Sequence, residues 1–129
     1  MRKVMVFGTF DGLHDGHKAM LKEAKNLGDY LIAVVAQDHI VQHLKGHLPK
    51  INLLERFEHL QDVDEVDKVV IGDAETSAWN TVKKYKPDII AIGHDQELLK
   101  EDLEMSFDTL GYEPDIAMLK YHEVNEENK

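Results

Sequence analysis

Cysteine is absent from all 129 residues, which removes disulfides, thiolate metal sites and thiol catalysis together. A reducing cytoplasm is the compartment this suits. No apolar run approaches the ~20 residues that cross a bilayer, so a soluble chain without membrane attachment is expected. Met1-Arg2-Lys3 before Val4-Met5-Val6-Phe7 opens like an export signal, but the run is too short and no small-residue cleavage site follows. Basic residues are in the minority, 15 Lys and Arg against 25 Asp and Glu, for a net charge of −10. That balance makes a poor general partner for nucleic acid or anionic membranes. Internal repeats, low-complexity stretches and linkers are missing too. What remains is one domain over residues 1–121, with a polar, acidic tail over 122–129 that is expected to fray.

The charge is uneven. Residues 1–60 carry eight basic and seven acidic side chains, whereas residues 97–129 carry three and ten. An anionic small molecule is therefore expected in the N-terminal half. Short apolar runs at Val4–Phe7, Tyr30–Ala36, Lys68–Ile71, Asp88–Ile92 and Ile116–Tyr121 read as strands, several of them stopped by glycine. Between them, apolar residues at helical spacing predict helices over Gly16–Leu27, behind the start signal Asn52 and Glu55, around Trp79 to Tyr85, and over Leu99–Leu110. Gln37–Lys50, which holds Gly46 and Pro49, reads as a loop, at least at its end. Wholly apolar strands alternating with helices imply an α/β fold: a single Rossmann-like domain whose parallel five-stranded sheet has helices on both faces. Ligands of such sheets sit beyond the C-terminal strand ends, where the strand order switches.

The first such turn reads Gly8-Thr9-Phe10-Asp11-Gly12-Leu13-His14-Asp15-Gly16-His17. Backbone N–H groups at a helix start favour phosphate. Two imidazoles three residues apart can both donate to one anion, and Gly16 between them permits close backbone approach. Gly8 and Thr9 are small enough to leave room for a flat base or sugar. The turn describes a phosphate cradle with two proton-bearing donors and no nucleophile. As isolated residues, His14 and His17 would equally serve as a turn residue and a helix cap.

Gly8-Thr9-Phe10-Asp11 with His14-Asp15-Gly16-His17 resembles the H-x-G-H signature of the cytidylyltransferase-like nucleotidylyltransferases. The likeness continues through Val35-Ala36-Gln37-Asp38, Glu55-Arg56, Val66–Gly72 and Lys86–Gln96, about 100 residues in all. It is most similar to archaeal-type FAD synthases, which adenylylate FMN, and next to glycerol-3-phosphate cytidylyltransferases. The resemblance implies transfer of a nucleoside monophosphate from an NTP to a phosphate-bearing small molecule, with release of pyrophosphate. Its first form is FMN adenylylation, and the alternative is a CTP-dependent enzyme acting on glycerol 3-phosphate or a similar ester. By the same resemblance His14, His17, Lys45 and Arg56 are the catalytic residues. Gly8, Thr9, Phe10, Asp11, Gly93 and Asp95 join His14, His17 and Lys45 in binding the nucleotide. Mg2+ would accompany the NTP, and the protein would form a homodimer. Direct attack by the acceptor phosphate on the α-phosphorus needs alignment and charge neutralisation rather than a covalent intermediate.

Two features depart from the family pattern. No Ser/Thr-rich turn close to I-S-[ST]-[ST] follows the fifth strand: either the sequence stops short of it or the contact is absent, and in the second case weak NTP binding, or a binding module without turnover, is expected. The C-terminal cysteines of the archaeal-type enzymes are also missing. His39, His43 and His47 would share a face if helical and could then hold zinc or nickel. The loop reading makes them solvated instead, and no ligand set for a protein-held metal is assigned. Lys45 is the permanent cation among them, and protonation of these histidines on triphosphate binding would make that binding pH-dependent.

Overall fold

A computed structural model describes residues 1–120. The expected tail, with Tyr121, lies outside the described residues. The strands are β1 (Lys3–Gly8), β2 (Tyr30–Val35), β3 (Lys68–Ile71), β4 (Ile89–Ile92) and β5 (Asp115–Met118). The helices are α1 (Asp15–Lys25), α2 (Asp38–Lys45), α3 (Leu53–Gln61), α4 (Asn80–Tyr85), α5 (Glu97–Met105) and α6 (Phe107–Leu110). All four strand pairings are parallel, in the order β3-β2-β1-β4-β5. The order reverses at β1, whose neighbours are β2 and β4.

Alternation within the strands sends side chains to two separate cores. Val4, Val6, Leu31, Ala33 and Val35 pack with Leu21 and Ala24 of α1 and Leu60 of α3. Met5, Ile32, Val34, Ile90 and Ile92 pack on the other face with Val82 of α4, Leu103 of α5 and Leu110 of α6. Both faces being covered, the strands have no polar side to show, which is why they read as continuous apolar runs.

Three expectations about elements are corrected. Gln37–Lys50 is a loop only at its end, after Gly46: its first part is α2, anchored by buried Val41. Gly46, read as a loop marker, is the helix C-cap, with φ 82° and its N–H bonded to the Gln42 carbonyl. The helix expected over Leu99–Leu110 is two helices broken at Ser106, whose hydroxyl donates back to the Asp102 carbonyl at 2.9 Å. Finally, α1 stops at Lys25, two residues short of Leu27, and Gly28 serves the turn into β2. A Cβ there would lie 2.7 Å from the Arg2 carbonyl oxygen.

Candidate active site

The chain leaves β1 at Gly8 and enters α1 at Asp15, so the intervening turn lies at the C-terminal end of the central strand. His14 caps α1: its Nδ1 accepts from the backbone N–H groups of Gly16 (3.1 Å) and His17 (3.3 Å). A nitrogen that accepts two N–H groups must carry a lone pair, so this geometry fixes neutral His14 as the Nε2–H tautomer. The cap also consumes two helix-start donors that the sequence reading offered to a phosphate. The site's donors are therefore side chains more than bare backbone.

His17 stacks on His14 with ring centroids 3.8 Å apart and planes 19° from parallel. Its pKa is pushed down to about 4, chiefly by burial, with the neighbouring His14 next. The Gly12 carbonyl and Asp95 oppose the shift, and the positive charge of Lys45 adds to it. His17 is thus neutral at pH 7, and its buried Nδ1 has no hydrogen-bond partner among the described residues. These interactions place Lys45, from the C-terminal turn of α2, and Asp95, after β4, within electrostatic reach of His17, which itself stacks on His14. Four expected site residues from three strand–helix units therefore converge.

The remaining ones support the turn from within. Phe10 has φ 54° and is 2% exposed. Its ring meets His17 edge-on with centroids 5.8 Å apart. It also fills the space above Gly8, where a Cβ would lie 2.9 Å from the ring. The gap expected at Gly8 for a base or sugar is occupied by the protein's own side chain. The Asp11 carboxylate accepts from the backbone N–H groups of Lys50 (2.8 Å) and Ile51 (2.9 Å), tying the segment after α2 to the turn.

Arg56 departs most from expectation. Rather than reaching outward to phosphates, it is 0% exposed. Its Nε donates to the Ile51 carbonyl (2.8 Å), Nη1 to the Thr9 carbonyl (2.7 Å) and Nη2 to Asp38 Oδ1 (2.5 Å). A cation so placed is neutralised internally, and its planar fork satisfies three segments at once.

Two residues to which the sequence reading gave no role prove structural. Gln96 spans the switch between β1 and β4: its Oε1 accepts from Gly93 N (2.8 Å) and its Nε2 donates to the Phe7 carbonyl (2.9 Å). Gly93 allows this, since a Cβ there would meet Gln96 Oε1 and Asp95 Oδ1 at 3.2 Å. Asp38 is the other, as the partner of Arg56. A strand-end glycine followed three residues later by an amide side chain was the available signal for Gln96; Asp38 had none beyond its place after β2. The histidines of α2 face elsewhere: His39 Nε2 lies 2.8 Å from the Ala74 carbonyl oxygen. His39 and His43 line a hollow of about 560 Å³ with residues 74–76 and Ala78. His47 lies beyond the helix, with Nδ1 3.0 Å from the Leu48 carbonyl oxygen. Among the described residues, no group of three or more His, Cys, Asp or Glu side chains is placed to hold a metal ion.

Residues 5–122 match the Cytidylyltransferase-like family. The chain belongs to that family. It is 40% identical over 119 residues to an FAD synthase of Pyrococcus horikoshii, covering 92% of this chain and 80% of that protein. It is 44% identical over 106 residues to an FAD synthase of Thermococcus sibiricus, covering 79% and 72%. Among solved structures, a lipopolysaccharide core biosynthesis protein from Thermoplasma volcanium superposes with a TM-score of 0.88 at 34% identity, covering 95% of this chain and 99% of that one. A pantoate-beta-alanine ligase from Francisella tularensis shares the fold at 12% identity, with a TM-score of 0.62, over 91% of this chain and 58% of its own. The expected kinship with FAD synthases holds, and with it a nucleotidyltransferase enzyme on a Rossmann-like domain. No helix among the described residues is long and apolar enough to cross a membrane.

Proposed function

We propose that this chain adenylylates FMN, converting ATP and FMN to FAD and pyrophosphate. A phosphate oxygen of FMN attacks the α-phosphorus of ATP and forms the new P–O bond. The bond from the α-phosphorus to the bridging oxygen breaks, and pyrophosphate leaves with the electron pair. The stacked pair His14 and His17 carries this reading. Two stacked imidazoles at the switch point, one held by the helix cap so that its Nε2 bears the hydrogen, are donors suited to charge that grows on the departing phosphates. Lys45 adds a permanent positive charge on the same side. The choice of flavin and adenine rests on 37–44% identity to FAD synthases over most of this chain.

Mg2+ belongs to the substrate in this reading. It enters with the triphosphate, as is usual for an ion that keeps its waters and binds phosphate oxygens, and no step is assigned to an ion held by the protein. Cytoplasmic location, assembly as a homodimer, and indifference to nucleic acid and membranes complete the proposal.

The experiment is pyrophosphate release from each of ATP, CTP, GTP and UTP, with FMN or glycerol 3-phosphate as acceptor and Mg2+ present. Release with ATP and FMN alone is expected. Release with CTP and glycerol 3-phosphate instead would establish the cytidylyltransferase alternative. Nucleotide binding without release in any combination would make the chain a binding module.

A further inference from the structure

Arg56 touches three segments that the chain brings together from distant positions. Its Nη1 holds the turn after β1 at the Thr9 carbonyl, its Nε holds the entry to α3 at the Ile51 carbonyl, and its Nη2 holds the first residue of α2 at Asp38. Asp38 and Lys45 are the first and last residues of α2, seven apart. At 3.6 residues per turn, seven residues make almost two full turns, so both project from the same helix face. A contact that fixes the direction of Asp38 therefore fixes the direction of Lys45. His39 and His43, on another face of α2, are turned to the loop after β3. The far side of the span is pinned as well: Asp11 holds the backbone of Lys50 and Ile51. The segment that carries Lys45 is thus clamped at both ends to the turn that carries His14 and His17.

We propose that Arg56 and Asp38 are positioning residues, an ion pair between a buried guanidinium and a partly exposed carboxylate that sets the rotation of α2 and so aims Lys45 at the triphosphate beside His14 and His17. The pair acts through Lys45 and does not itself meet the nucleotide. Removing its hydrogen bonds would leave Lys45 present and charged but misdirected. Lys45 already bears on His17 without ligand, since its charge helps hold the imidazole neutral, together with His14 and against Asp95 and the Gly12 carbonyl. That coupling offers a readout besides catalysis. The activity arm rests on the proposed nucleotidyl transfer, whereas the titration arm does not.

Asp38→Asn is the main probe, because it keeps the shape of the side chain and leaves Arg56 in place. Arg56→Lys keeps the charge but cannot make all three bonds. The test is a double-mutant cycle of Asp38→Asn with Lys45→Ala, reading kcat and KM for NTP and, by NMR, the titration of His17. Asp38→Asn alone is expected to lower kcat/KM by about tenfold or more, within the ~100-fold that a 1 Å misplacement can cost. In the Lys45→Ala background it should change kcat/KM by no more than about twofold, since the group being aimed is gone. The titration of His17 should move upward in Asp38→Asn and in Lys45→Ala alike, and no further in the double variant. Equal loss from Asp38→Asn in both backgrounds, or a His17 titration that ignores it, would overturn the proposal and leave the ion pair a stability element. If the wild type turns over no nucleotide at all, the proposed function fails, and the His17 titration alone still decides this inference.

Discussion

His14 caps the very residue it stacks on: its Nδ1 receives the backbone N–H of His17 while the two rings lie 3.8 Å apart. In the proposed function one side chain thus has two duties, one to the helix and one to the substrate, and substitution separates them. His14→Ala should slow pyrophosphate release about a hundredfold or more, the usual effect of losing one donor to a charge that develops in the transition state. It should also lower stability by about 1 kcal/mol through the lost cap. His14→Asn restores a cap acceptor, so stability should return in a urea titration while the rate stays low. His17→Ala should show a rate loss of similar size without the cap defect. Rates within threefold of wild type for both alanine variants would return the pair to a structural role.

The depressed pKa of His17 predicts how stability depends on pH. Folding lowers the value from 6.5 to about 4, first through burial. The unfolded chain therefore binds the proton more readily, so this contribution to stability is complete above pH 6.5 and is lost as pH falls from 6.5 towards 4. Urea unfolding at pH 7.5 and pH 5 should show a larger acid loss in wild type than in His17→Gln. A triphosphate beside the ring acts in the opposite direction, raising its pKa, so binding should take up protons in the same window. Calorimetry in two buffers of different ionisation enthalpy measures that uptake. The histidines of α2 should contribute little: His39→Gln/His43→Gln is expected to leave the uptake unchanged.

Gly8→Ala tests the packing beneath the site. The added methyl would lie 2.9 Å from the Phe10 ring, and that ring in turn abuts His17. The ring must shift, so the variant should lose catalytic rate although no donor has been removed. Trimming the obstacle in Gly8→Ala/Phe10→Leu should recover part of the rate, and a double variant slower than the single one would refute this chain of contacts.

Gln96→Ala removes both bonds that join the ends of β1 and β4. It should cost about 1–3 kcal/mol in chemical denaturation, because the Gly93 N–H beneath it is left without that acceptor. Gln96→Glu keeps the acceptor for Gly93 but loses the donor to the Phe7 carbonyl, and is expected to fall in between.

The strands and the H-x-G-H turn were legible because each rests on local pattern: apolar runs ended by glycine, and a motif held within ten residues. The roles inside the site were not, because they depend on pairs far apart in the chain. Arg56 looks like a surface cation until Thr9 and Asp38, 47 and 18 residues away, surround it. Gly8 looks like empty space until Phe10 turns back over it through a positive φ, a conformation that no neighbouring residue announces. α2 was missed because Gly46 marks both a loop and the end of a helix, and only the backbone distinguishes them. Its apolar residues are few: Ile40, Val41 and Leu44, of which Val41 alone is buried.

The central place of β1 has a consequence for synthesis on the ribosome. β1 is made first, and its partner on one side, β2, follows within about thirty residues. Its partner on the other side, β4, begins at Ile89, and the Gln96 clasp comes later still. Until most of the described chain has emerged, the nascent protein holds a parallel half-sheet with one apolar strand edge unpaired, an invitation to wrong partners. The segment that bears His14 and His17 is therefore translated before β2, β3, β4 and β5, yet is among the last to acquire all its neighbours. Hydrogen exchange on ribosome-bound chains stalled after β3 should find the amides of β1 and β2 protected although β4 and β5 have not been made.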